Sequence, residues 1–440
     1  MEGNHTMWID NSCFYQIYPL GFCGAPREND GILVPRILKV LDWVEHLRRL
    51  NIDAVYFSPI FQSDRHGYDT RDYLTLDCRL GSNEDFAQVC RALHAAGIRV
   101  VLDGVFNHVG RGFWAFQDVL LNRENSPYLN WFTIRLDSDN GYGDGLSYEG
   151  WEGHYELVKL NLQNPQVQEY LFSCIRFWVE QFDIDGLRLD VAYSLDRGFL
   201  ERLRGFTREL KEQFALIGEV LFGDYNLLVN EGMLHSCTNY ECYKGLFSSC
   251  NEHNLFEISY SLNRQFGPET WCLYRGKHLV SFVDNHDVTR IASQLREERH
   301  LPLIYGLLYS MPGIPCLYYG SEWGLQGKKE DGDDALRPCP QAPQWTTLTQ
   351  FLSRLGELRR EHPAFTLGDY RNVYVANEQL VFSRTWEKEC IYVGINLSGQ
   401  PGALRLNQEA RATDLLTGQS VVLNGQTQLP PFGFALWQLQ

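Results

Sequence analysis

The stretch from Ser82 to Asp103, SNEDFAQVCRALHAAGIRVVLD, contains one complete folding unit of this chain. Ser82 or Asn83 can cap a helix whose first turn carries Glu84 and Asp85, where carboxylates meet the positive end of the helix dipole. Phe86, Val89, Cys90 and Leu93 share one helical face, and Gly97 can end the helix. Ile98-Arg99-Val100-Val101-Leu102-Asp103 then reads as a strand buried on both faces, because its apolar run is almost unbroken until the final acid.

The same order, helix, turn and strand closing on a polar residue, recurs on both sides of this unit between residues 35 and 320. Upstream, Ile37, Val40, Leu41, Val44 and Leu47 predict a helix over Arg36 to Leu50, followed by the strand Ile52 to Phe57. Downstream, Asn164 as cap and Pro165 at the first helical position open a helix through Leu171, Ile175, Trp178 and Phe182 that delivers Gly186-Leu187-Arg188-Leu189-Asp190. A further helix from Leu200 to Phe214 leads to Leu216-Ile217-Gly218-Glu219. Later strands are Leu279 to Asp284 and Pro315 to Gly320, and Phe14-Tyr15-Gln16-Ile17-Tyr18 supplies the first.

Alternating helices and parallel strands whose C-terminal ends are polar predict an α/β fold, a (β/α)8 TIM barrel with its site at that end. A doubly wound sheet would place a glycine-rich phosphate loop after an early strand, and none is present. Between His108 and Leu160 the alternation lapses into a Gly-, Asn-, Asp- and aromatic-rich stretch, a small inserted subdomain after the third strand. After about Ala364 only β-type runs remain, with turns at Leu416-Thr417-Gly418 and Asn424-Gly425, so a C-terminal antiparallel β domain is expected. The expected division is 1–107 for the first part of the barrel, 108–160 for the insertion, 161–363 for the rest of the barrel and 364–440 for the β domain.

The 440 residues, 44% hydrophobic and 21% charged, suffice for a large core. No apolar run reaches the ~18 residues of a spanning helix, so no membrane partner is expected. The net charge of −16 argues against nucleic acid, whose binding rests on Lys and Arg against phosphates. Residues 1–6 lack the basic and apolar regions of a secretory signal, and the 12 cysteines are irregularly spaced without a CxxC pair. Both point to a cytoplasmic protein with reduced thiols. Cys237, Cys242 and Cys250 near His235 and His253 miss the short ligand pairs of zinc sites.

Three strand-end carboxylates remain: Asp190, Glu219 and Asp287. They lie in segments which, with Asp103-Gly104-Val105-Phe106-Asn107-His108, resemble in order those of the alpha-amylase family of glycoside hydrolases. The segments are Gly186 to Ala192, Ile217-Gly218-Glu219-Val220 and Phe282-Val283-Asp284-Asn285-His286-Asp287. The resemblance implies Asp190 as nucleophile, Glu219 as general acid/base and Asp287 as a third carboxylate supporting the transition state. Retaining hydrolysis needs such a pair, one ionised and one protonated, about 5–5.5 Å apart. Arg188, two residues before Asp190 on a strand, points to the same face and is expected to keep the nucleophile ionised.

By the same resemblance His108 and His286 contact sugar hydroxyls, and Tyr68, in His66-Gly67-Tyr68-Asp69-Thr70, stacks on the sugar. Asp333, Asp334 and Arg337 are similar to a downstream sugar-contacting stretch, from which Asp334 is taken as a substrate contact. Glu322 in Tyr318 to Leu325 reads as structural, and Trp114, Trp131, Trp151 and Trp323 as packing before sugar platforms.

Ser58-Pro59-Ile60-Phe61, Asp190-Val191-Ala192 and Leu157-Val158-Lys159-Leu160-Asn161 are similar to the cyclomaltodextrinase, maltogenic amylase and neopullulanase group. The resemblance implies a retaining hydrolase of α-1,4 bonds in maltooligosaccharides, with cyclodextrins as a further substrate class. Two alternatives stand beside it: an α-glucosidase or glucosyl-transferring enzyme on trehalose, sucrose or α-1,6 substrates, and a non-catalytic sugar-binding relative. Three departures bear on this. The chain starts almost at the first strand, so the group's N-terminal domain is expected to be missing and the oligomeric state is left open. Leu221 and Phe222 stand where the group has Trp and His. Asn107 faces Ser194 where many members hold structural calcium with Asn and His, so no calcium there, no other metal and no cofactor are expected.

Overall fold

The computed structural model describes residues 7–440 apart from the side chain of Asn407. Residues 1–6, on which the absence of a leader is read, lie outside the described residues. Eight strands form one parallel sheet: β1 (Phe14–Ile17), β2 (Ala54–Phe57), β3 (Arg99–Gly104), β4 (Gly186–Leu189), β5 (Ala215–Gly218), β6 (Ser236–Cys237), β7 (Val280–Phe282) and β8 (Ile314–Tyr318). Their order is β6-β5-β4-β3-β2-β1-β8-β7, and a parallel bridge between Thr238 and Val280 joins the two ends into a barrel.

Side chains alternate across each strand, so residues two apart share a face. Phe14, Ala54, Val101, Ala215, Ile217, Val280, Phe282, Ile314 and Cys316 pack inside the barrel, while Tyr15, Val55, Val100, Leu102, Leu187 and Leu189 pack against the surrounding helices. One step toward the C-terminal ends, the same inner face carries Gln16, Tyr56, Asp103 and Arg188. This change from apolar to polar builds the floor of the site.

The helices follow their caps. Ser82 and Asp85 form a capping box for Asn83–Ala95, and Gly97 beyond it takes a left-handed φ of +78°. Asn164 Oδ1 accepts from the Gln166 amide at 2.9 Å to start Pro165–Phe182. The segment predicted as one helix over Arg36 to Leu50 differs: Arg36–Trp43 winds as a 3₁₀ helix before the α-helix Val44–Arg49. Its buried residues are Ile37, Val40 and Trp43, a spacing of three that matches the tighter helix. The sixth strand is absent from the sequence reading because two residues carry no periodicity. It holds Cys237, buried like Cys242 and Cys250. All 12 cysteines are free, and no group of metal-binding side chains occurs among the described residues.

In the inserted stretch, His108–Gly110 pairs antiparallel with His154–Lys159, so Lys159 lies opposite His108, and His154 opposite Trp151 in Gly150–Trp151. After the helix Pro363–Leu367, strands β9 (Asp369–Val375), β10 (Gln379–Trp386), β11 (Glu389–Asn396), β12 (Gly402–Asp414), β13 (Ser420–Leu429) and β14 (Phe434–Leu439) form an antiparallel sheet in the order β9-β10-β11-β14-β12-β13. Asn424-Gly425, expected as a turn, lies inside β13. Gly425, with φ +72°, sits where the β12–β13 register shifts between Arg405 and Glu409, so the glycine serves a bulge. No helix among the described residues is long and apolar enough to cross a membrane.

Candidate active site

Parallel register sets Arg188 of β4 opposite Asp103 of β3, both on the inner face. Arg188 Nη1 donates to both Asp103 oxygens at 3.0 Å and to Asp190 Oδ1 at 2.8 Å, and its Nη2 lies 2.8 Å from Glu219 Oε1. One buried guanidinium therefore ties three carboxyl groups from the ends of three neighbouring strands. The Asp190 amide donates to the Gly104 carbonyl and the Glu219 amide to the Leu189 carbonyl, extending the ladder one residue past each strand. Val191 then turns the chain at φ +41°, a costly conformation for a β-branched residue. The turn aims the Val191 amide at Glu219 Oε2, 3.0 Å away.

Three carboxylates around one cation cannot all ionise cheaply. Burial pushes the Asp190 pKa well above the ordinary range; Arg188 opposes this, and the Glu219 and Asp103 charges add to it. Arg188 acts on Asp190 in the expected direction, with its charge divided among three acids. Glu219 Oε2 accepts from the Val191 amide and Oε1 lies in the ion pair with Arg188, whereas Asp190 Oδ2 faces His108 Nε2 at 3.9 Å, too far for a hydrogen bond.

Burial lowers the His108 pKa to about 3, so the ring is neutral. Its Nδ1 lies 3.1 Å from the Asn107 amide nitrogen, which leaves the hydrogen on Nε2, buried and without a partner beside Asp190. Asn107 and Ser194 together supply no charge, a poor match to the oxygen-rich anionic shell that calcium takes.

On the opposite wall, Asp287 stands between two cationic or donor groups. His286 Nε2 lies 3.0 Å from its Oδ2, and Arg337 Nη2 2.8 Å from its Oδ1. Burial works to raise the Asp287 pKa, but His286 and Arg337 overcome it and hold the group ionised far below the usual range. Gln16 Nε2 bonds His286 Nδ1 at 2.7 Å, and Tyr18 and Tyr68 stack on the imidazole with centroids at 5.8 and 5.7 Å. The Tyr68 hydroxyl lies 2.5 Å from His286 Nε2 and donates to Asp103 Oδ2 at 3.2 Å, linking the two walls. Tyr56 donates to the same oxygen at 2.9 Å.

Of the residues singled out in sequence, Asp190, Glu219, Asp287, Tyr68, His108, Arg188 and His286 come together here. Asp334 does not join them: it is exposed on the wall of a cavity of about 640 Å³ that opens beside Asp287, lined also by Tyr18, His66 and Arg337. Sequence reasoning missed Asp103, Gln16, Tyr18 and Tyr56, and gave Arg337 no role. The inward alternation of the strands could have found Gln16, Tyr56 and Asp103. Arg337 follows a short helix, Asp333–Leu336, and only packing brings it to Asp287. Glu322 is fully buried, accepting from Tyr15 at 2.7 Å and bonding His46 at 2.9 Å, a structural arrangement. Trp151 packs near His108 with centroids 5.8 Å apart, whereas Trp114 and Trp131 pack on Tyr170, and Trp323 on His46.

Residues 16–350 match the family model "Alpha amylase, catalytic domain", and residues 370–436 match "Maltogenic Amylase, C-terminal domain". The chain is similar to a cyclomaltodextrinase of Geobacillus thermopakistaniensis (strain MAS1), 28% identical over 98% of this chain and 78% of that protein. It is 30% identical to neopullulanase 2 of Thermoactinomyces vulgaris, again over 98% and 78%. Among solved structures, ligand-free cyclic alpha-maltosyl-(1→6)-maltose hydrolase from Arthrobacter globiformis superimposes with a TM-score of 0.83 and 25% identity, covering 99% of this chain and 100% of that one. With a catalytic-domain match spanning most of its length and carboxylates gathered at the C-terminal ends of the barrel strands, the chain belongs to the alpha-amylase family of glycosidases.

Proposed function

We propose that this glycosidase cleaves α-1,4-glucosidic bonds of maltooligosaccharides, and of cyclodextrins, with retention of configuration through a covalent glucosyl-enzyme. The observation that carries this reading is the single guanidinium of Arg188 bonded at one end to Asp190 and at the other to Glu219. Acids so bridged are close-set, as in retaining enzymes, where ~5–5.5 Å separates nucleophile from acid and no room is left for a water between.

Asp190 attacks the anomeric carbon while Glu219 gives a proton to the leaving oxygen. For these roles Asp190 acts ionised and Glu219 protonated, and a sugar hydroxyl that accepts from His108 Nε2 and donates to Asp190 favours the ionised nucleophile. Asp287, held ionised, accepts from hydroxyls of the sugar undergoing cleavage and stabilises the positive charge that grows on the ring. Tyr68 offers its ring to the sugar, Arg188 organises the pair, His108 and His286 present N–H donors, and Asp334 meets sugars further along the cavity. Asn107 and Ser194 are read as holding no calcium.

A time course on maltotriose, maltoheptaose and β-cyclodextrin, with the anomer followed by proton NMR, tests the proposal. Early α-anomeric maltose or glucose is expected, and an early β-anomer overturns it. Cleavage of isomaltose-type bonds in preference to maltotriose would decide for the α-1,6 alternative.

A further inference from the structure

None of the 12 cysteines takes part in the chemistry above, and only Cys339 is exposed. It stands on the wall of the large cavity that opens beside Asp287, two residues after Arg337. Facing it is the segment Phe22-Cys23-Gly24, a few residues past β1. The two segments approach closely: Gly24 has φ +68°, and a Cβ on it would lie 3.0 Å from Cys339 Sγ. One side chain fastens them together. Lys39 Nζ donates to the Phe22 carbonyl at 2.8 Å, to the Pro340 carbonyl and to Cys339 Sγ at 3.1 Å, and it lies over the rings of Phe22 and Trp43.

No carboxylate pairs with Lys39 among the described residues, and of the three groups it bonds only Cys339 can become an anion. An ammonium beside an accessible thiol is the setting in which thiolates act as nucleophiles. Cys23 is its opposite, only 7% exposed. Burial pushes the Cys23 thiol pKa up, Lys39 opposes this and the charge of Cys339 adds to it. Removing that charge frees Cys23 to react in turn, so the accessible thiol reacts first and the buried one second.

We infer that Cys339 and Cys23 form a peroxide-reactive dithiol, with Lys39 as counter-ion, that closes into a disulfide on the wall of the cavity beside Asp287. The Cys339 thiolate attacks a peroxide oxygen: an S–O bond forms, the O–O bond breaks, and the departing hydroxide takes a proton from solvent to leave as water. Sulfur is oxidised by two electrons and the peroxide is reduced by two. The Cys23 sulfur then bonds to the sulfenic sulfur, the S–O bond breaks, and hydroxide leaves with the Cys23 proton as a second water. The new bond ties the chain shortly after Tyr18 to the chain shortly after Arg337. Tyr18 stacks on His286 and Arg337 holds Asp287, so closing the bond disturbs the bonded side of the site.

The test treats the enzyme with hydrogen peroxide, alkylates the remaining thiols and reads unreduced peptides by mass spectrometry, which does not depend on the substrate. A peptide linking Cys23 to Cys339 is expected in the wild type. In Cys23→Ser oxidation should stop at a Cys339 sulfenic acid that dimedone captures. In Lys39→Met the linked peptide should form about tenfold more slowly, and in Lys39→Arg, which keeps the charge, within about threefold of the wild-type rate. Turnover of maltoheptaose, or of whichever substrate the time course above selects, should fall by about fivefold or more on oxidation and return with dithiothreitol, while Cys339→Ser keeps its own rate under peroxide. No linked peptide in the wild type, or no dimedone capture at Cys339 in Cys23→Ser, overturns the dithiol. Equal rates in Lys39→Met and wild type overturn the part given to Lys39, and turnover unchanged by a disulfide that has formed overturns its hold on the site.

Discussion

The two walls of the site are built on opposite principles. On the Asp287 wall every functional side chain is bonded to another: His286 to Gln16, Tyr68 and Asp287, and Arg337 to Asp287 and the His286 carbonyl at 3.1 Å. On the Glu219 wall, past the acid itself, Tyr193 and Phe222 stand on loops with one long hydrogen bond between them and the rest of the protein's polar groups. Charges that must be placed before reaction need such bonding, since preorganised dipoles cost nothing to reorient later. A surface that meets partners of varying length needs none. The bonded wall and the carboxylate pair are where the matched segments lie, and the open wall is where Leu221 and Phe222 depart from the group.

Breaking the bonded part should cost orders of magnitude. Asp190→Asn is expected to lower kcat by about 10⁴-fold while maltotriose binding, followed by calorimetry, stays within a few-fold, because a nucleophile acts in the transition state more than in ground-state binding. Full activity in that variant would remove Asp190 from the mechanism. Arg337→Ala should lower kcat/KM by about 10²-fold by releasing Asp287. Arg337→Lys should recover part of this, since an ammonium keeps the charge and loses the fork; steady-state kinetics on maltoheptaose read both.

Asp103→Asn is a subtler probe, because it removes one of the three negative charges that share Arg188. Losing a nearby anion favours the ionised form of Asp190 and lowers its pKa. A nucleophile acts ionised, and that form is lost as pH falls. The acidic limb of the kcat/KM profile should therefore move to lower pH, with about a tenfold loss at its optimum. A shift to higher pH would show that Arg188 is not the shared counter-ion. The smallest effect is expected on the open wall: Tyr193→Phe removes the hydroxyl bonded to Glu152 but keeps the ring, and should change kcat/KM on maltoheptaose by less than about twofold. A tenfold loss would make the hydrogen bond, not the ring, the recognition element.

Much of the architecture was legible without coordinates. Seven barrel strands announce themselves as short, mostly apolar segments after a helix or at the start of the chain, but β6 has two residues and shows only once Thr238 bridges Val280. Asn424-Gly425 looks like a hairpin turn because the dipeptide tolerates positive φ, and a bulge uses the same tolerance. Arg36–Trp43 looks α-helical from its apolar count, and a spacing of three in what is buried decided for the tighter helix.

The order of segments in the chain sufficed to name Asp190, Glu219 and Asp287, because each ends or follows a strand and a barrel gathers strand ends at one face. It also determined that Arg188 and Asp190 share a side, since strand side chains repeat every two residues. Only the tertiary structure decided what those groups are worth to each other. Register put Asp103 opposite Arg188, which divided one positive charge among three acids. Packing of residues far apart in sequence brought Arg337 to Asp287 and left Asp334 on an outer wall. Periodicity is local and survives in one dimension, whereas the energy of a buried charge depends on its whole surroundings, which a chain acquires only by folding.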